Sequence, residues 1–512
     1  MPLLLSGIAA FVLAMPAAQA EEPAKPPAKR QELSTGRDAG RATPRDARPA
    51  PGMWPGDVTT KHAISVGGQS IAFSATAGYI TLRNATTREP LADIAYIAFA
   101  RNGTDPARRP VTFAFNGGPG YASAWLNLGA MGPWRLPMNG EGVFPSAAPA
   151  LSDNQESWLS FTDLVFIDPA GTGYGRIRGK GVTDTLWSVD GDIDSLATVI
   201  RRWSEQNGRT ASPKYLAGES YGGFRVPKIA HKLQTDQGVG VDGLIMISPV
   251  LDFSTRRMNG PLQRVAELPS MAAVAMSRGK AITRADLRPV EDYARGQFVV
   301  DLLKGRSDSA AVARLSSRVS ALTGLDRSFV EKRAGRITAS AFAREFYRAS
   351  GKVASAYDGL VTGLDPDRYS SSNDAEDQLR LGLHAPLVQA MAGLYRERLQ
   401  WIYPEGRYMF QNKQAGRSWK WGRRPAQAVD DLASVVALDP NLKAFVVHGL
   451  TDLVTPYFDT QMVLDRMTPI GNGKRIRLQV YPGGHMFYSR EESRKAFRDD
   501  VRAMMDAQDK KD

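Results

Sequence analysis

Apolar and polar positions change rhythm several times along this chain. From His62 to Asn84, "HAISVGGQSIAFSATAGYITLRN", and from Ala92 to Asn102, "ADIAYIAFARN", they alternate, with β-branched and aromatic residues enriched. Period two with that composition predicts hairpin strands. Short, nearly continuous apolar runs follow: Val111 to Phe115, Leu164 to Ile167, Tyr215 to Ala217, Leu244 to Ile247, Ala444 to Val447 and Ile476 to Tyr481. Runs of that length ending in Gly- or Asp-bearing turns predict buried parallel strands. Helical patterns lie between several of them, as in "GDIDSLATVIRRWSEQNG" and "FRVPKIAHKLQTDQG". This alternation predicts an α/β open sheet, whose sites gather at the carboxyl ends of the strands.

Residues 256–400 break the rhythm. "MAAVAMSRGKAITRADLRPVEDYARGQFVVDLLKG" and "LGLHAPLVQAMAGLYRERLQW" carry helical periodicity and few strand-like runs. They predict a helical insertion capping the site, with the α/β core made by residues 53–255 and 401–512. Before the core, Leu3 to Met15 is apolar and Ala18-Gln19-Ala20 has a small-x-small cleavage pattern. Residues 1–20 therefore read as a secretory signal peptide. The run is shorter than the roughly 20 residues of a spanning helix. Its start lacks Lys or Arg, so an uncleaved anchor is the alternative. Residues 21–52, rich in Pro, Ala, Arg and Glu, read as a disordered linker. No other long apolar stretch follows. The expectation is an exported protein, periplasmic or secreted, with no membrane span after cleavage.

Composition narrows the chemistry. The 512 residues are 43% hydrophobic, enough for a sizeable core. The formal net charge is +12, but the basic residues are scattered. No basic block interleaves with aromatics, which argues against nucleic-acid binding and for a solvated basic surface. There is no cysteine. That excludes disulfides, a thiol nucleophile and thiolate metal sites. No His-x-x-x-His or His-Glu-x-x-His spacing occurs, so no metal or other cofactor is implied.

"LAGESYGGF" places Ser220 between Gly218 and Gly222, after a predicted strand and before a helix. That is the setting of a nucleophile elbow, where glycines let a tight turn expose the serine hydroxyl. A serine nucleophile needs a base and a group that orients it. The chain has five histidines. With the chain order Ser…Asp…His, Asp452 in "HGLTDLVTP" supplies the acid and His485 in "YPGGHMF" the base. Asp452 reads alternatively as a helix N-cap with Thr451. His448 precedes Asp452 and reads as a packed strand-end histidine. An oxyanion hole needs two backbone N–H groups. One is expected from Tyr221, just after the serine. The other is expected from the glycine-rich turn in "FAFNGGPGYASAW", which reads alternatively as a plain turn.

Six motifs in order, "FNGGPG", "NQESWL", "LVFIDPAGTGYG", "GESYGG", "GLTD" and "GGHM", resemble those of the serine carboxypeptidase family (peptidase family S10). The resemblance runs from about Ala95 to Ser254 and from about Leu442 to Phe487. It implies an α/β-hydrolase fold, with a mostly parallel central sheet flanked by helices. It also implies an acyl-enzyme mechanism with Ser220 as nucleophile, Asp452 as orienter and His485 as base. Gly118 and Tyr221 would form the oxyanion hole. Peptides with a free C-terminus would be the substrates, and Asn116, the Gly117 N–H and Glu219 would bind the terminal carboxylate.

Glu219 can do so only while protonated, because an ionised carboxylate would repel the ligand. Burial would raise its pKa above the reference of about 4.3 and give a preference for acidic pH. The alternative is a Glu219 that bonds only neighbouring backbone. The chain also departs from the family. In "LGAMGPW", Ala130 stands where a second carboxylate-binding glutamate often occurs. Tyr121 replaces the usual cysteine, and Phe487 replaces the proline often found after Gly-His-Met. Ala130 keeps open an esterase or acyltransferase on the same frame. A non-catalytic hydrolase-like binding protein is the third reading, against which the complete Ser220, Asp452 and His485 set argues.

Overall fold

The alternating segments form antiparallel strands β1 (Val58–Val66), β2 (Gln69–Arg83) and β3 (Pro90–Arg101). Alternation buries Ile64, Ile71, Phe73, Ala75 and Ala77 on one face, as a half-buried sheet requires. The apolar runs form β4 (Val111–Phe115), β5 (Asp163–Ile167), β6 (Lys214–Glu219), β7 (Gly243–Ile247), β8 (Lys443–Gly449) and β9 (Ile476–Tyr481). Every residue of β4 to β7 is buried. Continuous apolar sequence is what a strand covered on both faces demands.

This computed structural model describes residues 55–138, 150–179, 181–256, 260–370, 376–403 and 406–509. The expected signal segment, 1–20, and linker, 21–52, lie outside them. The main sheet runs β1-β2-β3-β5-β4-β6-β7-β8-β9, with a short strand Arg176–Ile177 against β3. It is antiparallel from β1 to β5 and parallel from β5 to β9. The parallel strands therefore share one carboxyl edge.

The two expected helices span Val189–Gln206 and Tyr221–Lys232. Ser188 caps the first by accepting the Gly191 N–H, and Asp190 and Asp192 favour its positive N-terminal end. Residues 256–400 contain helices Pro261–Met276, Arg284–Tyr293, Ser309–Thr323 and His384–Gly393, and a small antiparallel pair, Lys352–Ala354 with Thr362–Leu364. Their apolar cluster includes Leu268, Leu287, Val319 and Phe342 and takes in Leu450, Leu453 and Tyr457 from beyond β8. The segment also reaches the carboxyl edge of the sheet by backbone bonds. Leu453 N–H donates to the Ala356 carbonyl (3.0 Å), and Gly359 N–H to that of Thr451 (3.0 Å).

One buried cation ties the layers together. Arg225, on helix Tyr221–Lys232, is fully buried. Its Nε and Nη2 donate to the Asp192 carboxylate (2.6 and 3.2 Å), and its Nη1 to the Asn116 carbonyl just after β4. The guanidinium also lies 4.7 Å from the Tyr221 ring centroid. Burial raises the Asp192 pKa even with Arg225 beside it. Removing the cation alone strands a buried carboxylate. Arg225→Met is expected to destabilise the protein by about 3–5 kcal/mol in urea unfolding, with Arg225→Met/Asp192→Leu recovering most of that loss. A single-variant loss below about 1 kcal/mol would contradict this role.

Candidate active site

Ser220 sits between β6 and helix Tyr221–Lys232 with φ 61° and ψ −122°, a conformation strained for any residue with a Cβ. Its N–H donates to the Ile247 carbonyl (2.8 Å), and its carbonyl accepts the Gly223 N–H (2.9 Å). The flanking glycines are required by close approach. A Cβ on Gly218 would overlap the Gly222 carbonyl oxygen, and one on Gly222 would overlap that of Phe115. The turn after β4 meets the same elbow, since a Cβ on Gly117 would come within 2.5 Å of the Tyr221 nitrogen. One pocket at the carboxyl edge is lined by Asn116, Gly117, Gly118, Glu219, Ser220, Tyr221 and His485. Each belongs to the set singled out from the sequence.

Asp452, fully buried after β8, is not a helix N-cap, since the next helix, Tyr457–Arg466, has Pro456 at that position; it faces its own loop and His485. Its Oδ1 accepts the Val454 and Thr455 N–H groups (2.8 Å each), as a turn cap does. Its Oδ2 meets His485 Nδ1 at 2.8 Å and accepts the Thr455 hydroxyl at 2.6 Å. A carboxylate partner assigns the proton to Nδ1 and leaves Nε2 as the basic nitrogen. Burial opposes charging His485, but the Asp452 carboxylate outweighs it, and the histidine pKa is raised. Burial likewise opposes ionising Asp452. His485 and the Thr455 donors prevail, and the Asp452 pKa is lowered. The His485 backbone is fixed on both sides: its N–H donates to the Tyr357 carbonyl (2.5 Å), and its carbonyl accepts the Ser248 hydroxyl (2.8 Å). Thr455, Tyr357 and Ser248 carry no motif signal and were not legible as site residues.

Of the five histidines, His485 alone lines this pocket. His448 is buried, with Nε2 2.9 Å from the Thr460 hydroxyl, and burial pushes its pKa down to about 3. It is a packed strand-end histidine. His231 lies 3.3 Å from Asp431, His62 contacts Thr60, and His384 packs against Phe410.

Glu219 is buried beside Ser220. Its Oε2 accepts the Asn116 amide and its Oε1 the Tyr488 hydroxyl (2.7 Å). The side chain therefore bonds side chains across the pocket rather than only neighbouring backbone. Burial pushes its pKa up to about 7. His485 and the Asn116 and Tyr488 donors pull the other way, while Asp452 adds to the rise. Burial thus favours the protonated carboxyl well above the usual carboxylate range. Ala130 is buried near Asn154, whose amide donates to the Ala130 carbonyl (3.0 Å). Tyr488, which no motif pointed to, donates to Glu219 itself.

A further motif braces the turn after β4. Asp168, from "FIDPAGTGYG", accepts the Ser123 N–H at 2.8 Å, and the Ser123 hydroxyl donates to the Ile167 carbonyl. Burial raises the Asp168 pKa to about 7. Among the described residues no group of three or more His, Asp and Glu side chains is placed to hold a metal ion.

The sheet order and the strand–elbow–helix unit define an α/β-hydrolase fold. Among solved structures, a prohormone-processing carboxypeptidase from Saccharomyces cerevisiae, KEX1(delta)P, superposes with a TM-score of 0.56 at 15% identity, over 85% of this chain and 92% of that one. The likeness is one of fold. The serine carboxypeptidase family model matches residues 66–261, a segment holding Asn116 to Gly120 and Gly218 to Gly222. The chain thus resembles the serine carboxypeptidases in sequence as well as in fold. The pheromone-processing carboxypeptidase KEX1 of Yarrowia lipolytica is 35% identical over 140 residues, 27% of this chain and 21% of that protein. Serine carboxypeptidase-like 45 of Arabidopsis thaliana is 26% identical over 195 residues, 36% of this chain and 38% of that protein. These matches span well under half of the relatives' length.

The Glu219 contacts have a direct readout. Infrared difference spectra of wild type against Glu219→Gln are expected to show a protonated carboxyl band that disappears with a midpoint near pH 7. Tyr488 donates to the ionised form, so Tyr488→Phe should move that midpoint up by roughly 0.7 pH unit, one hydrogen bond's worth. A midpoint near 4 in wild type would contradict the burial of this group.

Proposed function

We propose that this protein is an exported serine carboxypeptidase that removes C-terminal residues through an acyl-enzyme. Residues 1–20 direct export to the periplasm or beyond, and residues 256–400 cap the site on a core made of 53–255 and 401–512. Ser220 Oγ attacks the carbonyl of the last peptide bond while His485 Nε2 takes its proton. The N–H groups of Gly118 and Tyr221 receive the developing oxyanion. Collapse of the tetrahedral intermediate breaks the C–N bond, and His485 returns the proton to the departing amine. Water deprotonated by His485 then hydrolyses the ester on Ser220. Asp452 stays ionised throughout and holds the imidazole in place.

The observation that carries this reading is the protonatable Glu219 next to the serine. A serine hydrolase acting on neutral esters has no use for a buried carboxyl there, whereas a free terminal carboxylate needs a donor. Protonated Glu219, the Asn116 amide and the Gly117 N–H supply three. The second reading, an esterase or acyltransferase, is favoured by Ala130, which leaves one family donor absent.

Matched peptides ending in a free acid or an amide separate the two. The free acid is expected to be preferred by at least about tenfold at pH 6, the worth of a charge-assisted hydrogen bond. It requires neutral His485 and protonated Glu219 together. The first needs pH above a raised histidine pKa and the second pH below about 7, so its kcat/KM should peak near neutrality, less acid than the sequence suggested because His485 must also be neutral, and fall on both sides. The amide needs only neutral His485 and should climb to a plateau. A free-acid profile that rises steadily from about pH 5 to 8 would sink the carboxylate-binding role of Glu219.

A further inference from the structure

Apart from His485, the charged side chains lining the pocket are Glu219, Arg256 and Arg380. Arg256 is held in place by the protein. Its Nη2 donates to the Val454 carbonyl (2.5 Å), and its Nε lies 3.6 Å from Asp459. Arg380 is placed differently. It rises from the short helix Gln378–Gly382 in the inserted segment and lies against the Tyr121 hydroxyl; its carboxylate ion pair among the described residues is with Glu376, 3.3 Å away, whose own side chain is largely exposed. An ion pair with one partner this exposed is weak, so an anion entering the pocket can displace Glu376 from the guanidinium.

The position of Arg380 within the pocket is informative. Burial pushes the Tyr121 hydroxyl pKa up, and the adjacent Arg380 guanidinium offsets part of that rise. Arg380 acts in the same sense on Tyr357. The Tyr357 ring in turn packs edge-on against His485, with centroids 5.3 Å apart. Arg380, Tyr121, Tyr357 and His485 all line this one pocket. In acyl transfer the departing amine takes its proton from the histidine, so the residue being released lies beside His485, in the pocket that Arg380 also lines. Glu219 and Asn116 line the same pocket, and Glu219 is already engaged by Asn116 and Tyr488.

We propose that Arg380 is a specificity-determining residue that binds a carboxylate of the substrate's last residue. This rests on the carboxypeptidase reading. A guanidinium keeps its charge at every working pH and offers a planar two-pronged donor, so its contact persists after Glu219 ionises. The carboxylate has two sources, the side chain of a terminal Asp or Glu, or the main-chain carboxylate that Ala130 leaves one donor short.

The test uses blocked dipeptides ending in Glu or Gln, with a carboxylate-free ester as the internal reference, on wild type, Arg380→Gln and Arg380→Lys. If the side chain is the ligand, wild type prefers Glu over Gln by about tenfold in kcat/KM. That ratio falls to about one in Arg380→Gln and partly returns in Arg380→Lys. If the main-chain carboxylate is the ligand, Arg380→Gln lowers both peptides about tenfold relative to the ester. Either result supports the proposal. Unchanged ratios, both Glu to Gln and peptide to ester, overturn it. Should wild type turn over the ester but neither peptide, the carboxypeptidase reading itself fails. Arg380 is then judged by calorimetric binding of N-acetylglutamate and N-acetylglutamine. Weaker binding in Arg380→Gln than in wild type sustains it, and equal affinities reject it.

Discussion

Two backbone turns approach so closely that no side-chain carbon fits between them, and the pocket takes its geometry from that contact. The turn after β4 meets the elbow after β6 at Gly117 and Gly222, and a Cβ on either would collide with the other turn's backbone. The closeness brings Gly118 and Tyr221 to one pocket wall and lets the Asn116 amide reach Glu219. Arg225 fastens the arrangement from below, since one guanidinium holds the Asn116 carbonyl, the Asp192 carboxylate and the Tyr221 ring. Fully paired, this buried charge locks the two turns in a single register. Unpaired, it would be among the most destabilising groups in the core.

On that frame, two buried carboxyl groups are driven in opposite directions. Asp452 faces the imidazole of His485 and accepts the Thr455 hydroxyl and two backbone N–H groups, and these donors overcome burial and keep it ionised. Glu219 has two neutral donors and feels the Asp452 charge, so burial prevails and its pKa rises to about 7. Pairs whose surroundings separate their pKa values divide labour between charge and proton donation. A glutamate beside a nucleophile that must build up negative charge is tolerable for this reason. In its protonated form it adds no charge to the oxyanion's surroundings and offers a proton to a ligand.

The sheet was legible because its signals are local. Period-two stretches became β1 to β3, and each of the six apolar runs became a parallel strand. The glycine spacing around Ser220 was equally readable, since only glycine satisfies the contacts there. What escaped the sequence came from distant segments meeting. Tyr488 reaches Glu219 across 269 positions, and Tyr357 reaches His485 from the inserted segment. A phenol three residues past a histidine has no spacing that marks it as a donor to a carboxylate. Arg225 is similar: in sequence it is one of many scattered basic residues, and only burial reveals it as structural. The departure at Ala130 was visible, but the Tyr488 donor to Glu219 was not.

Catalysis by this site requires Ser220 to be an activated nucleophile. Labelling with a fluorophosphonate probe, followed by peptide mapping, measures this directly. The expected result is one covalent adduct on Ser220, absent in Ser220→Ala and strongly slowed in His485→Ala. No adduct on folded wild-type protein, or one that persists in Ser220→Ala, would contradict the account and favour a hydrolase-like fold used for binding.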